Sequence, residues 1–188
     1  MIIYIHGFGS SGEASKAQAF RTFCQTKGIR YIAPSLPTIP HLAITTLSEL
    51  IESYQDNEAV HLIGSSLGGY YSLYLSDKYN LKAVLINPAV NAPETLTRAL
   101  GHGVNYYDNS TYEWNASHLD MLESYEIEEP DVENILLLLQ KGDELLDYEE
   151  ALDFLEGAKT ILEEGGNHGF EGIDRHFETI MRHLNAQS

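Results

Sequence analysis

The sequence predicts an α/β fold in three layers, with a mostly parallel sheet of about six strands and helices on both faces. Three observations predict it. Short β-branched apolar runs alternate with longer amphipathic segments almost from the first residue. The runs are continuous rather than polar at every second position, as in strands buried on both faces. Breakers such as Pro34 and Asn87-Pro88 close the runs. At 188 residues the chain fits one domain, so residues 1–188 are expected to form a single unit.

Ile2–Ile5 is the first strand, apolar and β-branched around Tyr4. Residues 14–27 read as an amphipathic helix, and 29–33 as the next strand. Leu42, Leu47, Leu50, Ile51 and Tyr54 give 40–56 one apolar helical face. A strand at 60–63, a helix at 66–79 and a strand at 82–86 follow. The rhythm then breaks. Residues 89–133 hold no obvious strand, 105–109 reads as loop, and 96–100 and 117–125 suit short helices. This stretch is expected to sit above the strand ends as a lid or cap, or to be a packed irregular connection. Its tyrosines and Trp114 either line a pocket there or simply bury themselves. Alternation resumes with strands at 135–139 and 160–162 and helices at 148–156 and 174–185.

Charge narrows the partners. Eleven basic residues against 28 acidic ones give a net charge of −17. Nucleic acids and anionic membrane surfaces are therefore poor partners, because both attract cations. No run approaches the ~18 apolar residues that a bilayer-spanning helix requires. Cys24 is the only cysteine, so no internal disulfide is possible. With no basic leader or cleavage site at the N-terminus, a cytoplasmic location is expected.

In open α/β sheets, ligands bind at the carboxyl ends of the strands. Gly64-Ser65-Ser66-Leu67-Gly68 lies at such an end, between a strand and a helix. A hydroxyl exposed there requires a sharp turn that strains the serine backbone and brings its ±2 neighbours together, which favours glycine at both. Ser66 meets that requirement and Ser65 does not, so Ser66 is the candidate nucleophile. The alternative is a Gly/Ser turn capping the helix, and the strand before it and Gly69 after it argue against that.

A tetrahedral oxyanion needs two amide donors. Leu67 supplies one, and Phe8 in His6-Gly7-Phe8-Gly9 is the candidate for the other. His6 reads as a brace for that loop. An acid and then a base should follow the serine in chain order. Asp143 stands just past the 135–139 strand, with Glu144 and Asp147 as alternatives; Asp147 precedes a helix and suits an N-cap. His168, in a glycine-flanked loop past the last strand, is the candidate base. His176 and His183 fall in the final helical pattern, and His41, His61, His102 and His118 precede Asp143. No spacing suggests a metal site, and this chemistry needs neither metal nor cofactor.

With these segments together, the sequence resembles the small bacterial YqiA-like esterases of the α/β-hydrolase superfamily, of UPF0227 type. The resemblance spans the chain. It rests on Ile3-Tyr4-Ile5-His6-Gly7-Phe8, Gly64-Ser65-Ser66-Leu67-Gly68-Gly69-Tyr70-Tyr71, Asn87-Pro88-Ala89-Val90, Gly142-Asp143-Glu144 and Glu164-Gly165-Gly166-Asn167-His168. It implies a minimal α/β-hydrolase fold without the first two strands of larger relatives. It also implies hydrolysis of small-molecule acyl esters or thioesters by Ser66, Asp143 and His168. A serine peptidase or amidase, and a binding protein that kept the fold without the activity, are the alternatives.

Overall fold

The computed structural model describes residues 1–185. Its strands are β1 (Ile2–Ile5), β2 (Tyr31–Ile32), β3 (His61–Ser65), β4 (Ala83–Ile86), β5 (Gly101–Val104), β6 (Thr111–Trp114), β7 (Ile135–Gln140) and β8 (Lys159–Glu163). The α-helices are α1 (Ser15–Thr26), α2 (Pro40–Gln55), α3 (Leu67–Tyr79), α4 (Ala92–Thr95), α5 (Ala116–Glu123), α6 (Tyr148–Phe154) and α7 (Phe177–Leu184). Six strands form one sheet in the order β2-β1-β3-β4-β7-β8, and each neighbouring pair is parallel.

Side-chain alternation along each strand divides the core in two. Ile3, Ile5, Leu62, Leu85 and Leu137 pack with Ala43 and Leu47 of α2, Leu75 of α3 and Ala151 of α6. Ile2, Tyr4, Ile63, Val84 and Leu138 pack with Phe20 and Cys24 of α1 and Ile180 of α7. Both faces are thus covered, which explains the unbroken apolar runs. Cys24 is one of the packed core residues, and burial pushes its thiol up to about 11.

The strand order also fixes where a ligand can enter. After β1 the chain goes outward to β2, then crosses back to β3 on the other side of β1. The β1/β3 boundary is therefore a switch point, with a crevice at the carboxyl ends of its strands.

The 89–133 stretch differs from its sequence reading. It contains a two-stranded antiparallel hairpin, β5 with β6, in register Gly101 to Trp114 and Val104 to Thr111. Two of the four β5 residues are glycines, and only Trp114 of the hairpin is buried. No apolar run marks these strands, because cross-strand pairing rather than burial holds them. The expected short helices are there as α5 and as a 3-10 turn, Leu96–Ala99, after α4. The final helix also opens differently: a 3-10 turn, Ile173–His176, precedes α7. His176 is thus outside the regular helix; its Nε2 is 2.9 Å from Glu163, while His183 Nε2 is 3.1 Å from the Asn134 carbonyl.

Candidate active site

The turn from β3 into α3 is set by what cannot fit. A Cβ on Gly64 would lie 2.2 Å from the Gly68 carbonyl oxygen, and one on Gly68 would lie 2.0 Å from that of Ile5. Glycine at both places lets the chain double back. Ser66 takes the strain, with φ 56° and ψ −122°, a backbone conformation that costs a non-glycine residue about 1–3 kcal/mol. The end of β4 and the loop after it hold it there. The Ser66 amide donates to Ile86 O at 3.1 Å, and its carbonyl accepts from Ala89 N at 3.1 Å.

Ser66, His168 and Asp143 form one hydrogen-bonded chain. His168 Nε2 lies 3.0 Å from Ser66 Oγ, and Nδ1 lies 2.8 and 3.0 Å from the Asp143 oxygens. Asp143 has 2% of its side chain exposed and also accepts from the Leu145 and Leu146 amides, each at 2.9 Å. Burial pushes its carboxyl up, but the bonds from His168, Leu146 and Leu145 together outweigh this and hold it below the usual carboxylate value. The two alternative acids do other things. Glu144 accepts from the His168 backbone amide at 2.9 Å, and Asp147 caps α6 by accepting from Glu149 N at 2.9 Å.

Two residues that the sequence analysis did not place at the site fix the His168 loop. Asn87 Nδ2 donates to the carbonyls of Asn167 and His168 at 3.0 and 3.1 Å, while its Oδ1 accepts from Gln140 N at 3.0 Å. Gln140 Oε1 in turn accepts from the Asn167 and Glu171 amides at 3.1 and 2.8 Å. A buried polar residue ending each of two apolar strands was the available signal.

On the other side, Gly7 brings the β1 loop against Ser66: a Cβ there would be 3.1 Å from Ser66 Cβ. His6 braces the loop as expected. Its Nδ1 donates to Gly7 O at 2.8 Å, its Nε2 accepts from Leu36 N at 2.9 Å, and burial lowers its pKa. Phe8 and Leu67 both border a cavity of about 740 Å³ that includes Ser66 and His168. Tyr106 and Tyr112 of the hairpin line it too, whereas Trp114 is buried, packing edge-on against Phe8 with its Nε1 donating to Leu96 O at 3.2 Å. Among the described residues, no group of three or more His, Cys, Asp or Glu side chains is placed to hold a metal ion. Among the described residues, no helix is long and apolar enough to cross a membrane.

The parallel sheet, the strained serine turn and the strand-end loops define the α/β-hydrolase fold. Solved structures share it at low identity. Est1E from Butyrivibrio proteoclasticus, solved with ferulic acid bound, superposes with a TM-score of 0.77 at 15% identity, covering 99% of this chain and 88% of that one. Mouse alpha/beta hydrolase domain-containing protein 10 gives 0.75 at 18%, over 98% and 89% of the chains. A monoacylglycerol lipase of Paleococcus ferrophilus gives 0.69 at 17%, over 99% and 94%. The model of the uncharacterised protein family UPF0227 matches residues 1–185, and the chain belongs to that family. Its relatives include UPF0227 proteins of Vibrio parahaemolyticus, 24% identical over 99% of this chain and 100% of that protein, and of Enterobacter sp. strain 638, 25% identical over 96% of each.

Proposed function

We propose that the protein is a serine hydrolase that cleaves carboxylic esters or acyl thioesters through an acyl-enzyme on Ser66. One observation carries the reading: His168 bridges Ser66 Oγ and the Asp143 carboxylate through its two ring nitrogens. In this mechanism, Nε2 takes the Ser66 proton as Oγ attacks the acyl carbonyl, and Asp143 stabilises the imidazolium that forms. The Phe8 and Leu67 amides receive the oxyanion. The imidazolium then gives its proton to the leaving alkoxide or thiolate. Water attacks the acyl-enzyme by the same route, releasing the acid and regenerating Ser66. Residues 89–133 act as a cap, with the hairpin forming one wall of the cavity. The monoacylglycerol lipase among the structural neighbours favours ester substrates, and the single buried Cys24 suits a cytoplasmic setting.

Ser66→Ala is the test. Wild-type protein is expected to hydrolyse p-nitrophenyl butyrate and to react with a fluorophosphonate probe, and the variant to do neither. Activity retained by Ser66→Ala overturns the reading. Faster cleavage of a matched p-nitroanilide than of the ester would turn it towards an amidase.

A further inference from the structure

Lys16 lies at the active-site cavity in a setting that does not stabilise it. The sequence holds 28 Asp and Glu against 11 Lys and Arg, yet none of the residues lining the cavity is acidic, while Lys16 and Arg98 both line it. Of the other ten Lys and Arg residues, five have carboxylate partners: Arg21 with Glu13, Lys27 with Glu178, Arg30 with Glu58, Lys141 with Glu164 and Arg175 with Glu163. No carboxylate lies within ion-pair distance of Lys16 among the described residues.

Its position is unfavourable in two further ways. Lys16 is the second residue of α1, where the helix dipole disfavours a cation. It is also half-buried, and desolvation pushes its amine down to about 8, with the charge of Asp143 opposing this from beyond contact. A cation that is half-buried, unpaired and at the wrong end of a helix gains when an anion arrives.

We propose that the substrate of this site carries a carboxylate, and that Lys16 binds it while Ser66 attacks the ester. The inference rests on the serine-hydrolase reading above. The geometry supports it directly. Lys16 Nζ spends one of its three N–H donors on Ser65 Oγ at 2.7 Å, next in sequence to Ser66, and two donors remain. Arg98 is exposed at another part of the cavity wall, where it donates to Leu145 O at 3.1 Å. There it helps draw an anion through a predominantly acidic surface. A neutral substrate leaves the buried charge uncompensated.

Two matched pairs of esters test this. The p-nitrophenyl monoester of adipic acid is compared with p-nitrophenyl hexanoate, placing the carboxylate in the acyl half. The second pair, 4-(butanoyloxy)benzoate and its primary amide, 4-(butanoyloxy)benzamide, places it in the leaving group. In at least one pair, kcat/KM for the anionic ester is expected to exceed that for the neutral one by about tenfold or more, the effect of a hydrogen-bonded ion pair. That ratio is expected to fall to about one in Lys16→Met. It falls equally in Lys16→Gln, which keeps a donor for Ser65 but not the charge. A cooperative thermal melt establishes that each variant is folded. No preference in either pair, or a preference that survives both substitutions, overturns the proposal and leaves the serine-hydrolase reading standing if Ser66→Ala abolishes neutral-ester hydrolysis. Equal loss on anionic and neutral esters, with the ratio intact, also overturns it, since Lys16 would then act only by positioning Ser65. Failure of every ester and of fluorophosphonate labelling sinks the underlying reading, and this one with it.

Discussion

The sheet edge that carries Ser66, His168 and Asp143 and the β5–β6 hairpin beside it are held by different forces. At the sheet edge almost every atom is over-determined. Ser66 is tied to β4 through backbone bonds, Gly64 and Gly68 admit no side chain, and Asn87 and Gln140 hold the His168 loop from two adjacent strands. The hairpin is fastened at few points. Tyr106 N donates to Gly9 O at 2.8 Å, Asn105 Nδ2 donates to Ser10 O at 3.0 Å, and Phe8 packs against Tyr112 and Trp114. Tyr106 and Tyr107 are left largely exposed. Groups that must meet within hydrogen-bond distance are built on the rigid element, while the wall that shapes the cavity hangs on a segment that can change without disturbing them.

The comparison breaks first if the sheet edge tolerates substitution. Asp143→Asn keeps an acceptor for Leu145 and Leu146 but loses the charge facing His168, so kcat on p-nitrophenyl butyrate should fall by about 10³–10⁴ with the melting curve little changed. A drop of less than tenfold would remove Asp143 from the mechanism. Gly68→Ala forces a methyl onto the Ile5 carbonyl, and urea unfolding should show a loss of about 3 kcal/mol or more, at or beyond the usual range for overpacking. The hairpin should respond differently. Asn105→Ala removes its tie to Ser10 and the acceptor for Tyr107 N; we expect about 1 kcal/mol of lost stability, with KM rising more than kcat falls. A kcat effect as large as that of Asp143→Asn would show that the hairpin belongs to the rigid machinery after all.

Two smaller effects sharpen the picture within the sheet edge. Asp147→Ala should cost about 1 kcal/mol as a lost N-cap and leave kcat/KM within a few-fold, separating a helix cap from the neighbouring Asp143. Glu163 closes β8, and hydrogen bonds from Gln140, then Arg175 and His176, against a smaller opposing burial effect, hold its carboxyl down to about 2. A folded-state pKa below the unfolded one gives stability that is present above about pH 4.5 and lost as pH falls towards 2. Glu163→Gln should therefore flatten the stability profile between these values and change little at neutral pH.

Much of the sheet was legible because it is buried on both faces: continuous apolar runs at Ile2–Ile5, Ala83–Ile86 and Ile135–Gln140 can hardly be anything else. The edge strand β2 was placed but shrinks to Tyr31–Ile32, since it pairs on one side only. The hairpin was missed, because Gly101 and Gly103 carry no side chain and Trp114 alone of its strand residues is buried, which is too little to leave a pattern.

The sequence by itself determined the alternation of strands and helices along the chain and the glycine spacing that forces a strained serine, because each is a local constraint read within a few residues. Tertiary structure alone decided what lies far apart in the chain. It set His168 between Ser66 and Asp143, gave Asn87 and Gln140 their hold on that loop, and divided the aromatics of the 89–133 stretch between core and cavity. It also left Lys16 without a carboxylate partner in a chain rich in them. Such contacts depend on how strands order themselves in the sheet, and one-dimensional periodicity carries no record of that order.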